Sequence, residues 1–454
     1  TYTLGRWFLG YAGLITSMFD LPWVNGAFSL FYISIVVILL TEMFEIKNKG
    51  MIVLCAAIFV SFPTVVSSFA YMYTADAYLL AFLLATLAVY LTWCVKKWGT
   101  IAGMVCLAFA MGIYQAYATV AIVLVLLYII RQFVIEKLDF LEAVRKDLKY
   151  LGMLVGGAVL YAVILKITLI RYNITLPGYQ GIGALGIMSL GQYKAALQKT
   201  LYHFRLILGM EHGVEKHVYS LLNAAALLLI GLILIYLLVR NQVYKKKMSM
   251  LASIAAVCLI PVGAYFINFT SPDVQYYTLM EMAVCLIYLL MIIMLLQLDW
   301  KTWISKILKG CGIFVLCGLV YYNVINCNIA YFNMNLSYHK SISIAEDVLQ
   351  RIEQMDEFQN QHDKVVIMGD YNCATENLQI MMPSIMGISN DSFLNDSYHY
   401  TIIWNYCFGV QMEQASYDEM MEIVETDEYK NMSVYPLKGC VEYINGIIVV
   451  KMQE

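Results

Sequence analysis

Between about residue 25 and residue 329 the chain is a succession of apolar runs, most of about 20 residues, enough to cross a hydrocarbon core of about 30 Å. Backbone polar groups find no water in lipid, so such runs fold as helices that bond their own N–H and C=O groups. The composition agrees. Of 454 residues, 61% are hydrophobic and only 13% are charged, against about 25% charged in soluble domains. The reading is an all-α polytopic membrane bundle. Its candidate spans are 25–44, 51–70, 76–95, 99–113, 115–132, 150–170, 217–240, 249–268, 278–297 and 309–329, about ten in all.

The loops between these spans differ in charge. One alternating set carries Lys47 and Lys49, Lys96 and Lys97, the Arg131–Lys149 cluster, Arg240 with Lys245–Lys247, and Lys301, Lys306 and Lys309. The positive-inside rule makes that set cytoplasmic. Counting back puts Thr1 outside, so the expectation is an N-terminally truncated bundle, lacking a first span and half of the first outer loop. The same bias splits 99–132 into two short crossings joined at Gly112-Ile113-Tyr114-Gln115-Ala116-Tyr117. Backbone groups of a turn at that depth need protein partners or a water-filled cavity.

The outer loop 171–216 contains apolar residues at 190, 193, 197, 201, 204 and 208, a helical spacing with one apolar face. It reads as an amphipathic helix along the outer membrane surface. From about 335 the composition becomes polar. Ser343–Ile352 reads as helix, Lys364–Asp370 as a buried strand and Tyr398–Tyr406 as another strand. Asn445-Gly446 between two β-rich runs signals a hairpin. The domain division is 1–334, the transmembrane part, and 335–454, a small extracytoplasmic α/β domain. Of the 11 cysteines, Cys373, Cys407 and Cys440 fall in this polar part, where one disulfide has room to form. No Cys/His metal spacing, P-loop, GxSxG, HExxH or dinucleotide fingerprint stands at a credible position. No basic tract points to nucleic acid.

Polar residues near the outer helix ends are the candidate site, since ionisable groups at such depth are costly and usually face a cavity. Tyr73 and Asp76 stand at a tight outer turn, where Asp76 is either a catalytic carboxylate or a partner for the helix dipole. Tyr114, Gln115 and Tyr117 offer groups for sugar hydroxyls or phosphate, or bonds between helices. Arg6 suits a phosphate. Trp7 is a sugar-stacking or belt residue, and Asp20 is a second outer carboxylate able to act as a base. A further outer set is Arg171, His203, Arg205, Glu211, His212, Asp273 and Gln275, of which Arg205 is the chosen lipid-phosphate ligand.

Leu4-Gly5-Arg6-Trp7, Asp20-Leu21-Pro22-Trp23-Val24-Asn25-Gly26, Phe62-Pro63-Thr64, Phe69–Asp76 and Gly112–Tyr117 stand in an order and spacing that resembles the Gtr-type (type II) bacterial glucosyltransferases, which decorate O-antigen. The ending, Tyr435–Gly439 and Gly446–Lys451, is also similar to that family. The resemblance implies a GT-C glycosyltransferase of the bacterial cytoplasmic membrane. It implies a polyprenyl-phosphate sugar donor, typically glucose, and a surface glycan acceptor outside. It also implies an acidic catalytic residue in the first outer loop, which this chain enters partway; Asp76 matches the family-like motif better than Asp20. The lipid phosphate is itself the leaving group, so no nucleotide cofactor is expected, and a divalent metal is left open. The partners would be the lipid-linked donor, the glycan acceptor and the bilayer. A transporter or flippase of a lipid-linked saccharide, and a polysaccharide polymerase or ligase, are the alternatives. A transporter would show repeated halves, and none is visible.

Overall fold

The structure, a computed structural model, describes residues 2–176, 188–209, 217–359, 363–371, 393–394 and 396–452. The chain divides into two compact units, with the boundary after Cys327. That boundary falls inside one unbroken helix, Trp303–Glu353, whose 51 residues run about 76 Å at 1.5 Å each.

Unit 1 is helical. Among the described residues, six helices are long and apolar enough to cross a membrane: Pro22–Met43, Met72–Cys94, Gln115–Val134, Phe140–Tyr172, His217–Arg240 and Trp303–Glu353. A seventh candidate is the pair Lys49–Val60 and Pro63–Phe69, bent by 43°. The remaining expected spans correspond to shorter helices, Gly99–Ile113, Lys247–Cys258 and Met282–Leu296. Every expected span therefore contains helix, while length alone marks six or seven as crossing.

The breaks have local causes. Pro63 starts the second half of the bent pair, and Phe62 before it is extended, at φ −71 and ψ 140. A residue preceding proline is driven out of the helical region. Pro261 interrupts the run 249–268 differently, by supplying no N–H, and the helix restarts at Ile260. Residues 278–285 form 3-10 turns before the helix resumes at Leu286.

The basic loops meet at one end of this unit. Arg131 pairs with Glu45 at 2.7 Å and also donates to the Met43 carbonyl. Asn241 donates to Val134 O, Lys246 to Lys137 O, and Lys149 to Thr92 O. Arg240 holds Asp299 at 2.9 Å. The helix ends at Met43, Cys94, Val134 and Arg240 are thus tied together with the start of helix 140–172. The helix starts at Pro22, Met72 and Gln115 lie at the opposite end.

The expected amphipathic helix is present as Leu190–Ile207, with Ser189 and Gln192 forming a reciprocal capping box. Ala196, Thr200 and Ile207 are buried, while Leu190, Leu197 and Leu201 are exposed. One face packs on protein, and the apolar stripe read from the sequence is divided: Leu190, Leu197 and Leu201 stay open while Phe204 and Leu208 pack inward.

Unit 2 carries a four-stranded sheet in the order β2-β1-β4-β3, with β1 Lys364–Met368, β2 Glu413–Gln414, β3 Val441–Ile444 and β4 Ile447–Lys451. β1 is parallel to both neighbours and β3 pairs antiparallel with β4. Asn445 and Gly446, at φ 51 and 83, make the expected hairpin turn. Val365, Ile367, Ile448 and Val450 pack on Ile344, Val348 and Ile352 of the long helix. Val366, Met368, Ile447 and Val449 pack on Ile423 and Met432 across the other face. Both faces are covered at the centre of the sheet, so β1 and β4 read as apolar runs.

The strand expected at 398–406 is instead helix, Ser397–Ile403 followed by a π-turn at Trp404–Phe408. Asp396 caps it by accepting from the His399 N–H. Tyr400 and Trp404, four residues apart, then reach the sheet together, and the Trp404 indole donates to Ala345 O at 2.7 Å. The aromatic and β-branched composition mimicked a strand, and the helical spacing of the two buried rings decided the outcome. Cys407 and Cys440 are both free thiols; Cys373 lies outside the described residues.

The close pairing of helices 72–94 and 99–113 depends on Gly103. A Cβ there would stand 2.5 Å from Thr92 Oγ1 and 2.7 Å from the Ala88 carbonyl oxygen. Gly103→Val should lower stability by about 1–3 kcal/mol through overpacking. Gly152→Ala, where nothing lies within 4 Å, should not lower it. Thermal melting in detergent checks both.

Candidate active site

The N-terminal segment Tyr2–Asp20 wraps the start of helix 72–94. It runs through short turns at Tyr2–Leu4, Leu9–Ala12 and Gly13–Thr16. It reverses at Ser17 and Met18, both with φ 56. It is pinned to the break between helices 99–113 and 118–134. There Tyr114 is extended, at φ −156 and ψ 120, and the freed Gly112 carbonyl accepts the Phe8 N–H at 2.8 Å. The Gln115 amide donates to Leu4 O and to the Tyr161 hydroxyl, both at 2.9 Å. Tyr161 in turn donates to Gly5 O at 3.0 Å. Gly5 has φ 70, and a Cβ on it would meet Gln115 Nε2 at 2.7 Å, so only glycine fits that crossing.

This clamp places Arg6. Its guanidinium lies 4.4 Å from the Tyr114 ring centre, a cation–π contact, and donates to the Tyr78 hydroxyl at 3.4 Å. Tyr78 and Tyr114 pack with ring centres 5.3 Å apart. Among the described ion pairs Arg6 has no carboxylate, and its Nε is buried without a hydrogen-bond partner.

Asp76 is one turn into the same helix and 1% exposed. Its Oδ2 accepts from the Thr16 hydroxyl at 3.4 Å, while Oδ1 is buried without a partner. Asn25 donates to Met72 O at 2.7 Å, and its Oδ1, like the Ser29 hydroxyl, is also unpartnered. Asp20 is exposed and accepts the Tyr73 backbone N–H, one of the helix's free N-terminal donors. Partial desolvation raises its carboxyl above the ordinary aspartate value, against the lowering effect of that hydrogen bond. Positions 76 and 78 are about 200° apart around the helix, so the segment touches Asp76 and Tyr78 on different faces.

The structure therefore brings Arg6, Asp20, Tyr73, Asp76, Tyr114 and Gln115 to one helix end. It also changes what some of them do. Gln115 is spent on Leu4 and Tyr161, so it holds the Arg6 loop instead of offering a free amide. Trp7 is 7% exposed, with its ring against Phe109 and Gly112. The expected sugar-stacking face is used for packing. Tyr117 is 1% exposed beside Tyr114 and is likewise interior. Arg205 stands in the last turn of helix 190–207, a separate element. Glu211 and His212 lie outside the described residues.

One residue escaped the sequence reading. Glu281 is 3% exposed, between Met280 and Met282, and accepts the Tyr265 hydroxyl at 2.7 Å. The signal was a lone carboxylate inside the apolar run 278–297. No group of three or more His, Cys, Asp or Glu side chains among the described residues is placed to hold a metal ion.

A family model described as "Glucosyl transferase GtrII" matches residues 1–280. The chain belongs to this family. No curated protein and no solved structure matches it. Membership makes the chain a glucosyltransferase, and the apolar helices make it a multi-pass membrane protein. The GtrII match contains the whole N-terminal clamp and stops one residue short of Glu281.

The clamp can be tested directly. Gln115→Ala removes both of its hydrogen bonds and should lower transfer by about tenfold, the cost of roughly 1.4 kcal/mol in placing Arg6. Gln115→Glu should be no better, since a carboxylate cannot donate to Leu4 O. Glucosyl transfer by purified protein is the measurement.

Proposed function

We propose that the chain transfers glucose from a polyprenyl-phosphate donor to a surface glycan on the extracytoplasmic side of the bacterial cytoplasmic membrane. The observation that carries this reading is the unpaired Arg6 guanidinium, desolvated on one side and fixed by Tyr114 and Tyr78. A fork of donors without a carboxylate suits a phosphate. A lipid-borne phosphate arrives at such a depth as no nucleotide sugar would. The positive-inside bias supports the outer location, because the clamp stands at the helix ends opposite the basic loops.

The reaction is a single displacement. The acceptor hydroxyl attacks the anomeric carbon, its proton passes to a carboxylate, and the bond from that carbon to the phosphate oxygen breaks. Inversion follows. Arg6 stabilises the charge that grows on the departing phosphate. Asp20 is the accessible carboxylate and the proposed base. Asp76, closed in behind Thr16, holds the segment that carries Asp20.

Purified protein given polyprenyl-phosphate glucose and a cell-surface glycan should yield the glucosylated product. Saccharide movement across vesicles without any transfer would sink the enzyme reading. Arg6→Lys keeps the charge but loses the fork, and should raise the donor KM by about tenfold. Asp20→Asn should cost about 10²–10⁴ in kcat, the range of a general base. A base works deprotonated, so a raised Asp20 pKa moves the acid limb of the rate profile above the usual aspartate range. Rate should fall as pH drops through that limb, and a wild-type profile flat down to pH about 4 would remove Asp20 from the role.

A further inference from the structure

We infer that Asp76, Asn25 and Ser29 hold a sodium ion between helices 22–43 and 72–94. Three side-chain oxygens on these helices, Asp76 Oδ1, Asn25 Oδ1 and Ser29 Oγ, are closed to solvent and have no hydrogen-bond partner. Asp76 is 1% exposed, and Asn25 and Ser29 are fully buried. An ionised carboxylate taken out of water is paired with a cation or coordinates a metal ion. Among the described ion pairs Asp76 has no cation, and its described side-chain partner is the Thr16 hydroxyl at 3.4 Å.

Helix register brings the three residues together. Both helices start at the end opposite the basic loops, so they run parallel. The Asn25 amide donates to Met72 O at 2.7 Å, which sets Asn25 abreast of Met72. Ser29 follows Asn25 by one turn on the same face, and Asp76 follows Met72 by one turn on the same face, each about 6 Å along its helix. Ser29 and Asp76 therefore stand abreast, one turn inside the Asn25–Met72 bond. The nitrogen of the Asn25 amide is committed to Met72, so its oxygen is the free end. Thr16 approaches the other carboxylate oxygen from the N-terminal segment.

Carboxylate, amide and hydroxyl oxygens are the ligands of hard cations. This set carries one formal negative charge. A monovalent ion cancels it, whereas a divalent ion would leave a buried positive charge without a partner. A proton on Asp76 offers a single donor bond, while an ion takes all three oxygens at once. Bound there, sodium ties helix 22–43 to helix 72–94 and, through Asp76, to the Thr16 turn between Arg6 and Asp20. The site needs no lipid phosphate and does not depend on the proposed donor.

The test is thermal melting of the full chain in detergent at constant ionic strength. Replacing choline chloride by sodium chloride should raise the melting temperature by about 2–4 °C, and radioactive sodium should bind saturably. Asp76→Asn keeps the shape and drops the charge, and should lose both responses. Ser29→Ala removes only a hydroxyl and should weaken sodium binding by about tenfold, which keeps the test open if Asp76→Asn fails to fold. Gly152→Ala, in open space, should respond like wild type. Equal melting in sodium and choline without saturable sodium binding would overturn the inference and leave the oxygens to a proton or water. A response to magnesium but not to sodium would overturn it too. So would a sodium response that persists in both Asp76→Asn and Ser29→Ala, since the ion would then lie elsewhere. No arm requires sugar transfer, so failure here leaves the proposed function standing.

Discussion

A helix broken at membrane depth leaves backbone groups that neither lipid nor water will satisfy. In this chain the break at Ile113–Tyr117 and the irregular segment Tyr2–Asp20 solve that problem for each other. Gly112 O takes the Phe8 N–H, the Gln115 amide takes Leu4 O, and Tyr161 bridges Gln115 to Gly5 O. From that pairing the segment reaches helix 72–94 at Asp76 and Tyr78.

Once the backbone is accounted for, the unpaired side-chain atoms carry information. Buried polar groups in folded proteins are almost always bonded, and each exception costs about 1–3 kcal/mol. Several exceptions here, Arg6 Nε, Asp76 Oδ1, Asn25 Oδ1 and Ser29 Oγ, belong to the segment and the helix starts around it. They include both a donor and acceptors, and further exceptions lie elsewhere in the bundle, at Gln132, Tyr150, Tyr219 and Asn268.

Much of this was legible before the fold was known. The apolar runs located the helices because lipid enforces one solution, and Asn445-Gly446 located the hairpin because few residues accept positive φ. The motifs Leu4–Trp7, Phe69–Asp76 and Gly112–Tyr117 were visible as a set, and the structure joins them physically. Their division of labour was hidden. A sequence shows that Gln115 is polar and deep, but not that its amide is already committed to Leu4 and Tyr161. It shows an indole at Trp7, but not that Gly112 leaves the space in which that indole packs. The helix at 397–403 was misread because tyrosine and isoleucine favour strands only when their neighbours make one. Glu281 stands in the sequence only as a lone carboxylate in an apolar run; its partner is Tyr265, sixteen residues earlier, which the chain returns to it.

The two ends of the bundle treat cations differently, and that contrast bears most directly on function. At the basic end, Arg131 is bound to Glu45 and Glu136, Arg240 to Asp299 and Lys246 to Asp139, and Lys149 and Lys309 cap carbonyls. Those charges are consumed by the protein, and their work is to tie loops and hold the chain's orientation. Among the described contacts Arg6 has a ring and a phenol and no carboxylate. Aromatic faces steady a guanidinium without neutralising it, so its positive potential stays available to a ligand. A cation built in that way, beside the N-terminal end of helix 72–94 where the dipole also favours negative charge, is set up for an anion that comes and goes. A permanent carboxylate partner would have made Arg6 more stable and useless for that purpose.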